Sequence, residues 1–243
     1  MWQSLYQELK DKNFLIISVA FDTGGVPAVK DWIRPAEPVQ LPKELLDLMG
    51  WEDSLTSRLA RPTYPCLIDE KHVVAELYGM VNVPQAVWIN EQGRIVRPAE
   101  SAGASDGFRT MDRTTWQMAP EVAVEGKKIR THYVDAIRDW VAKGDASQYV
   151  LSPDEARKRL RGSMTNDALA AANFRLGQYL FAQGHQQDAR RYFLEAKRLR
   201  PDSWNFIRQE LELQGVGNAS GPEFWAQVDA LGKQAYYPPA DFS

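Results

Sequence analysis

One cysteine in 243 residues, Cys66, excludes an internal disulfide and any metal site built on a cysteine pair. Histidine is almost as scarce, and His72, His132 and His185 are too scattered to give ligand spacing. No window approaches the roughly 18 consecutive apolar residues of a membrane span. The opening "MWQSLYQELKDKN" lacks the basic-then-apolar plan of a signal peptide. As written, the chain is expected in a reducing, cytoplasmic setting. An export signal, were there one, would lie upstream, and then an extracytoplasmic location follows. Charge of one sign is lacking too: the net charge of −3 divides into −4 over residues 1–149 and +1 over 150–243. Neither half carries the basic excess of a nucleic-acid footprint, and "RKRLRG" (157–162) reads as a solvated helix face. No Ser-His-Asp set, paired carboxylates or phosphate loop can be assembled, so no catalytic residue, metal or cofactor is assigned.

What remains is 44% hydrophobic and 11% aromatic, enough to bury substantial cores. Trp2, Leu5, Tyr6 and Leu9 recur at helical spacing. "FLIISVAFD" (14–22) is a nearly continuous apolar run, the pattern of a strand covered on both faces of a parallel sheet. "TGGVPAVKDWI" follows as a turn and a helix start with Pro27 in its first turn. Asp22, Thr23, Gly24 and Gly25 sit where open α/β sheets collect ligands, but a turn with Asp22 as acceptor is the better reading. Pro35, Pro38 and Pro42 break the chain before "KELLDLMGWEDSLTSRLA", a helical insertion. "TYPCLID" (63–69) reads as a strand, "EKHVVAELYGM" (70–80) as a helix, and "QAVWIN" with "GRIV" as a hairpin around Gly93. The long stretch 97–130 gives no clear period until "HYVDAIRDWVAKG" resumes a helix. This alternation predicts an α/β layer architecture.

The order from Trp2 to Val96, above all "DKNFLIISVAFD" and "YPCLIDEKHVVAELYGMVNVPQAVWINEQGRIV", resembles the thioredoxin-like fold of the TlpA/ResA redoxins (AhpC/TSA-like superfamily). The resemblance implies a three-layer α/β domain, a cis Val83–Pro84 bond, and Val83 and Pro84 as substrate-binding residues. It also marks what is missing. The family's strand ending in Cys-x-x-Cys is not among these residues, so the domain is expected to be incomplete at its N-terminus. Two-cysteine thiol–disulfide exchange cannot then be run by this chain alone. In the family that strand lies between those matching "FLIISVAFD" and "AVWIN", so upstream residues of a longer protein, the favoured source, or another segment or subunit are expected to fill its place. Cys66, flanked by Tyr64, Pro65, Leu67 and Ile68, reads as a small buried hydrophobe.

A boundary is expected near residue 146, dividing a thioredoxin-like domain (1–145) from a small all-α domain (146–243). Ser152, Pro153 and Glu155 form a helix start. "NFRLGQYLFAQGHQQDARRYFLEAKRLRP" (173–201) resembles one tetratricopeptide repeat, through Leu176, Gly177, Leu180, Gly184, Ala189, Phe193, Ala196 and Pro201. Leu176, Leu180, Phe193 and Leu199 are expected to form its seam, with flanking helices "DEARKRL" and "SWNFIRQELELQ". The resemblance implies a protein or peptide partner, or a structural cap on the first domain. The tail "GPEFWAQVDALGKQAYYPPADFS" is expected to add one helix, with Trp225, Tyr236 and Tyr237 packing back.

Overall fold

A computed structural model describes residues 1–33, 62–160 and 165–242. The expected breaks at Pro35, Pro38 and Pro42 and the helical insertion of 43–60 lie outside the described residues. The described chain runs α1 (Trp2–Leu9), β1 (Ser18–Ala20), α2 (Gly25–Ile33), β2 (Cys66–Ile68), α3 (Val73–Leu77), β3 (Gln85–Ile89) and β4 (Ile95–Ser101). It continues through α4 (Pro120–Lys143), α5 (Pro153–Arg159), α6 (Thr165–Ala182), α7 (Gln186–Leu199), α8 (Trp204–Gln214) and α9 (Pro222–Ala230). The class is mixed α/β.

The described strands form two separate two-stranded sheets. β1 and β2 pair in parallel with Val19 opposite Leu67; β3 and β4 pair antiparallel with Ala86 opposite Glu100. In the parallel pair the Ser18 amide donates to Pro65 O at 3.0 Å and the Asp69 amide to Ala20 O at 2.8 Å. Bonds of a parallel strand alternate in direction, so the amide and carbonyl of Val19 point to the opposite edge, where no strand pairs among the described residues. The run 14–22 is therefore not covered on both faces. Its strand is three residues long, and Leu15, Ile17 and the neighbouring Leu67 are each more than half exposed.

One helix spans both sheets. On one side of α1, Gln3 donates to Thr63 Oγ1 at 2.8 Å and accepts from the Thr63 amide at 2.7 Å, just before β2. On the other side, Leu5 and Leu9 enter the core over β3–β4 with Trp88, Val96, Tyr133 and Ile137. Burying those two leucines contributes about 1.5–3 kcal/mol each. Trp88 is fixed within this core by a 3.0 Å bond from Nε1 to Tyr133 Oη and by stacking on Trp140.

The stretch without visible period resolves into short elements. β4 runs on to Ser101, a 3-10 turn covers Asp106–Thr110, and α4 begins at Pro120, a full twelve residues before the expected "HYVDAIRDWVAKG" helix. Pro120 suits a first turn, where its missing N–H costs nothing. α3 is shorter than its sequence pattern. It starts after His72, whose φ of 55° is left-handed, and the Asp69 carboxylate accepts from the Val73 and Val74 amides. The α5 start is as expected, with Ser152 Oγ accepting from the Glu155 amide at 3.2 Å. Arg157 and Lys158 project into solvent, while the last two residues of "RKRLRG" lie outside the described residues.

α6 and α7 form an antiparallel hairpin around Gly184, whose φ of +83° suits glycine. A Cβ on Gly177 would stand 2.6 Å from the Phe193 ring, so only glycine permits this approach. The core here is Phe174, Ala189, Phe193, Ala196 and Phe206, with Phe174 stacked on Phe206 at 4.4 Å. Leu176 was expected in this seam but stays 38% exposed; Phe174 fills the position instead. The tail packs back as expected, with Trp225 and Tyr236 buried alongside Trp204 and Phe224.

Arg97 ties strand, linker and tail together. It is 1% exposed, forms a two-pronged pair with Glu100, donates to Tyr149 O at 2.8 Å and to Asp241 O, and lies over the rings of Trp88 and Phe242. Arg97→Ala strands Glu100 and two carbonyls, so stability falls by about 3–5 kcal/mol. Arg97→Lys restores little, because an ammonium cannot reproduce the fork. Urea unfolding of the three proteins checks both outcomes.

Candidate functional site

The α3–β3 loop carries the sequence-predicted site residues Val83 and Pro84. Their peptide bond is cis, the geometry the resemblance implied. The loop is held by side-chain and backbone bonds together. Gln85 Oε1 accepts from the Val81 amide at 2.9 Å and Asn82 Nδ2 donates to Tyr236 O at 3.0 Å. Pro84 O accepts from the Ala102 amide at 3.1 Å, which binds the start of β3 to the end of β4.

The polar groups of Val83, those an extended peptide would pair with, are already used. Its amide donates to Asn82 Oδ1 at 2.9 Å and its carbonyl accepts from Tyr237 Oη at 2.9 Å. Tyr237 is held in place by its own amide, which donates to Asp106 Oδ1 at 2.6 Å, and by the Phe108 ring. The other Asp106 oxygen takes the Tyr236 amide. Desolvation raises the Tyr237 phenol above its ordinary range, so it stays a neutral donor to Val83. A peptide can reach the Val83 carbonyl only by turning this side chain aside.

Cys66 lies on the other sheet. Its thiol donates to Tyr64 O at 3.4 Å within its own strand segment, and it is half-buried rather than fully enclosed. The nearby Tyr64 phenol is pushed up to about 12 by desolvation first, then by the Cys66 charge.

The carboxyl end of β1 is closed by the helical module. Asp22 acts as the turn acceptor, its Oδ1 taking the Gly24 amide at 2.8 Å. The Thr23 amide donates to Gln209 Oε1 at 2.9 Å, Gln178 donates to Thr23 Oγ1 at 2.6 Å, and Gln209 Nε2 donates to Phe21 O at 3.3 Å. Beside them Arg175 pairs with Glu76, Arg200 donates to Gly79 O, and the Asn205 amide donates to Val81 O. This edge, where an α/β sheet would hold a ligand, is thus covered by α6 and α8. The cavity left between the 71–80 segment and the helices α6 and α8 is about 10 Å3, room for a single water and no substrate. Nothing in the sequence marks Gln178, Gln209 or Asn205, because polar side chains that meet across units leave no periodic signal.

His72 sits at the centre of this contact. It is buried, its Nε2 lies 3.4 Å from Thr23 Oγ1, its Nδ1 has no hydrogen-bond partner among the described residues, and its ring meets Phe174 edge-on. Desolvation lowers its pKa, while the Asp69 and Asp22 carboxylates and a bond with Gln209 oppose that fall.

No family model matches the chain, and no match was found among curated proteins or among solved structures.

Because the folded pKa of His72 is depressed, the unfolded chain binds the extra proton. The stabilisation is complete above the unfolded value of about 6.5 and is lost as pH falls through the folded value. His72→Asn tolerates the left-handed backbone and does not titrate. Urea midpoints of the wild type should therefore drop between pH 7.5 and 5 by more than those of the variant; parallel curves would remove His72 from the pH response.

Proposed function

We propose that this chain is the thioredoxin-like scaffold of a TlpA/ResA-type thiol–disulfide oxidoreductase, completed by a strand and a cysteine pair outside these 243 residues. The observation that supports it is the divided sheet: β1 and β3 each end in an edge without a partner strand among the described residues, while α1 packs against both halves. The apolar side chains of Leu15, Ile17 and Leu67 are left open beside the same parallel pair. A strand laid along β1 would satisfy the amide and carbonyl of Val19. Val83 and Pro84 would then face the incoming cysteines as the substrate-contacting wall.

A second reading has its own support. The amide and carbonyl of Val83 are internally bonded, and the helical module covers the carboxyl end of β1. A redox-silent thioredoxin-like unit carrying a tetratricopeptide-like protein-binding module fits both facts.

Insulin-disulfide and peroxide reduction separate the two. These 243 residues should give no turnover above the thiol background; robust activity would overturn the first reading, since a single half-buried Cys66 would have to carry it. A longer natural product with an upstream strand and cysteines should regain turnover. If that longer protein is silent, the binding module stands.

A further inference from the structure

One flank of the α6–α7 hairpin lies open beside the faces that pack on the rest of the chain. The Phe174–Gln178 side of α6 faces His72 and Thr23, and α8 covers the far side through the Phe174–Phe206 stack. On the open flank Leu169, Asn173 and Leu176 follow one another at i, i+4 and i+7 along α6. Leu169 is 48%, Leu176 38% and, on α7, Leu194 52% exposed. Asn173 and Leu194 line a groove of about 660 Å3 whose walls carry Arg190, Arg191 and Arg198 against the single acid Glu195. Glu195 is spent on Arg198 at 2.7 Å, while among the described residues neither Arg190 nor Arg191 has an ion-pair partner.

We propose that this groove docks an acidic amphipathic α-helix of another protein, leucines inward and carboxylates toward the arginines. The inference rests on the helical module being a partner-binding unit and is independent of redox chemistry. Helical shape follows from the surface itself. The exposed leucines repeat at seven residues on α6, the spacing a third helix meets when its ridges settle between two antiparallel neighbours. A helical hairpin of this kind buries only part of its apolar surface until another helix stacks on it. Charge decides between occupants. A second copy meeting this face with its own would set Arg190 and Arg191 of each against the other, a repulsive arrangement, whereas carboxylates are drawn in and steered by the same residues.

The test uses the full chain and a fluorescein-labelled helix of about 18 residues, roughly 27 Å long. Its leucines sit at i, i+3, i+4 and i+7 and are flanked by glutamates; a control peptide has lysines in their place. Anisotropy should show the acidic peptide binding at least about tenfold more tightly than the basic one, with the preference shrinking as salt rises. Leu194→Ser should weaken binding by about tenfold, and the double variant R190E/R191E should invert the charge preference. Circular dichroism is run on each variant. If Leu194→Ser proves misfolded, the exposed-charge double variant decides alone. Equal binding of the two peptides, or a charge preference that R190E/R191E leaves unchanged, would overturn the proposal. So would a concentration-dependent dimer in sedimentation that Leu194→Glu abolishes, because the occupant would then be a second copy.

Discussion

A buried guanidinium holds this molecule together. Arg97 is almost without solvent contact, so its charge is tolerable only because Glu100 and two carbonyls surround it and two aromatic faces pack against it. Each of those partners comes from a different part of the chain. Glu100 belongs to the same strand, Tyr149 to the connection after α4, and Asp241 to the tail. The charge therefore acts as an organiser: β4 cannot bury it without bringing the connection and the tail to the same place. The geometry is unforgiving in a way an apolar contact is not, since a displaced tail leaves a buried cation short of acceptors.

The contact between the carboxyl end of β1 and the helices α6 and α8 is of a different kind. Where the core over β3–β4 is apolar, the junction between β1 and the α6–α8 helices combines neutral hydrogen bonds, with Thr23, Gln178 and Gln209 bonded in turn, with the Arg175–Glu76 ion pair and the His72–Phe174 ring contact. Hydrogen bonds of this kind each contribute about 0.5–1.5 kcal/mol but fix orientation closely. The helical module is therefore seated in one angular setting on the sheet end, which also fixes the direction in which its open α6–α7 flank faces.

Local signals in the sequence proved readable and global ones less so. The Ser152–Pro153–Glu155 start and the turn at Gly184 rest on chemistry within a few residues, and both stand in the structure. The cis bond at Pro84 was legible only through family resemblance, since nothing in the flanking residues distinguishes it from an ordinary strand start. The run 14–22 misled, because an apolar stretch shows that a strand wants covering and not whether a cover is present; Leu15 and Ile17 stay exposed. Leu176 misled differently. Two apolar residues two positions apart on a helix, Phe174 and Leu176, compete for the core, and the phenyl ring won because Phe206 offered it a stacking partner. The role of Tyr237 beside Val83 spans 154 residues, a separation across which one sequence carries no pairing information.

Tyr133 sits at a meeting point with a topological meaning. Its ring touches Trp2 on one side and Phe242 on the other, so residues 240 positions apart share one aromatic neighbour. Closing so long a loop is entropically less severe than it sounds, since each doubling of length adds only about 0.6 kcal/mol. A ring pair worth about 0.5–1.5 kcal/mol could not close it unaided, but with Arg97 holding Asp241 the closure is already made. The meeting of Trp2 and Phe242 is thus set by a cluster of contacts around α4.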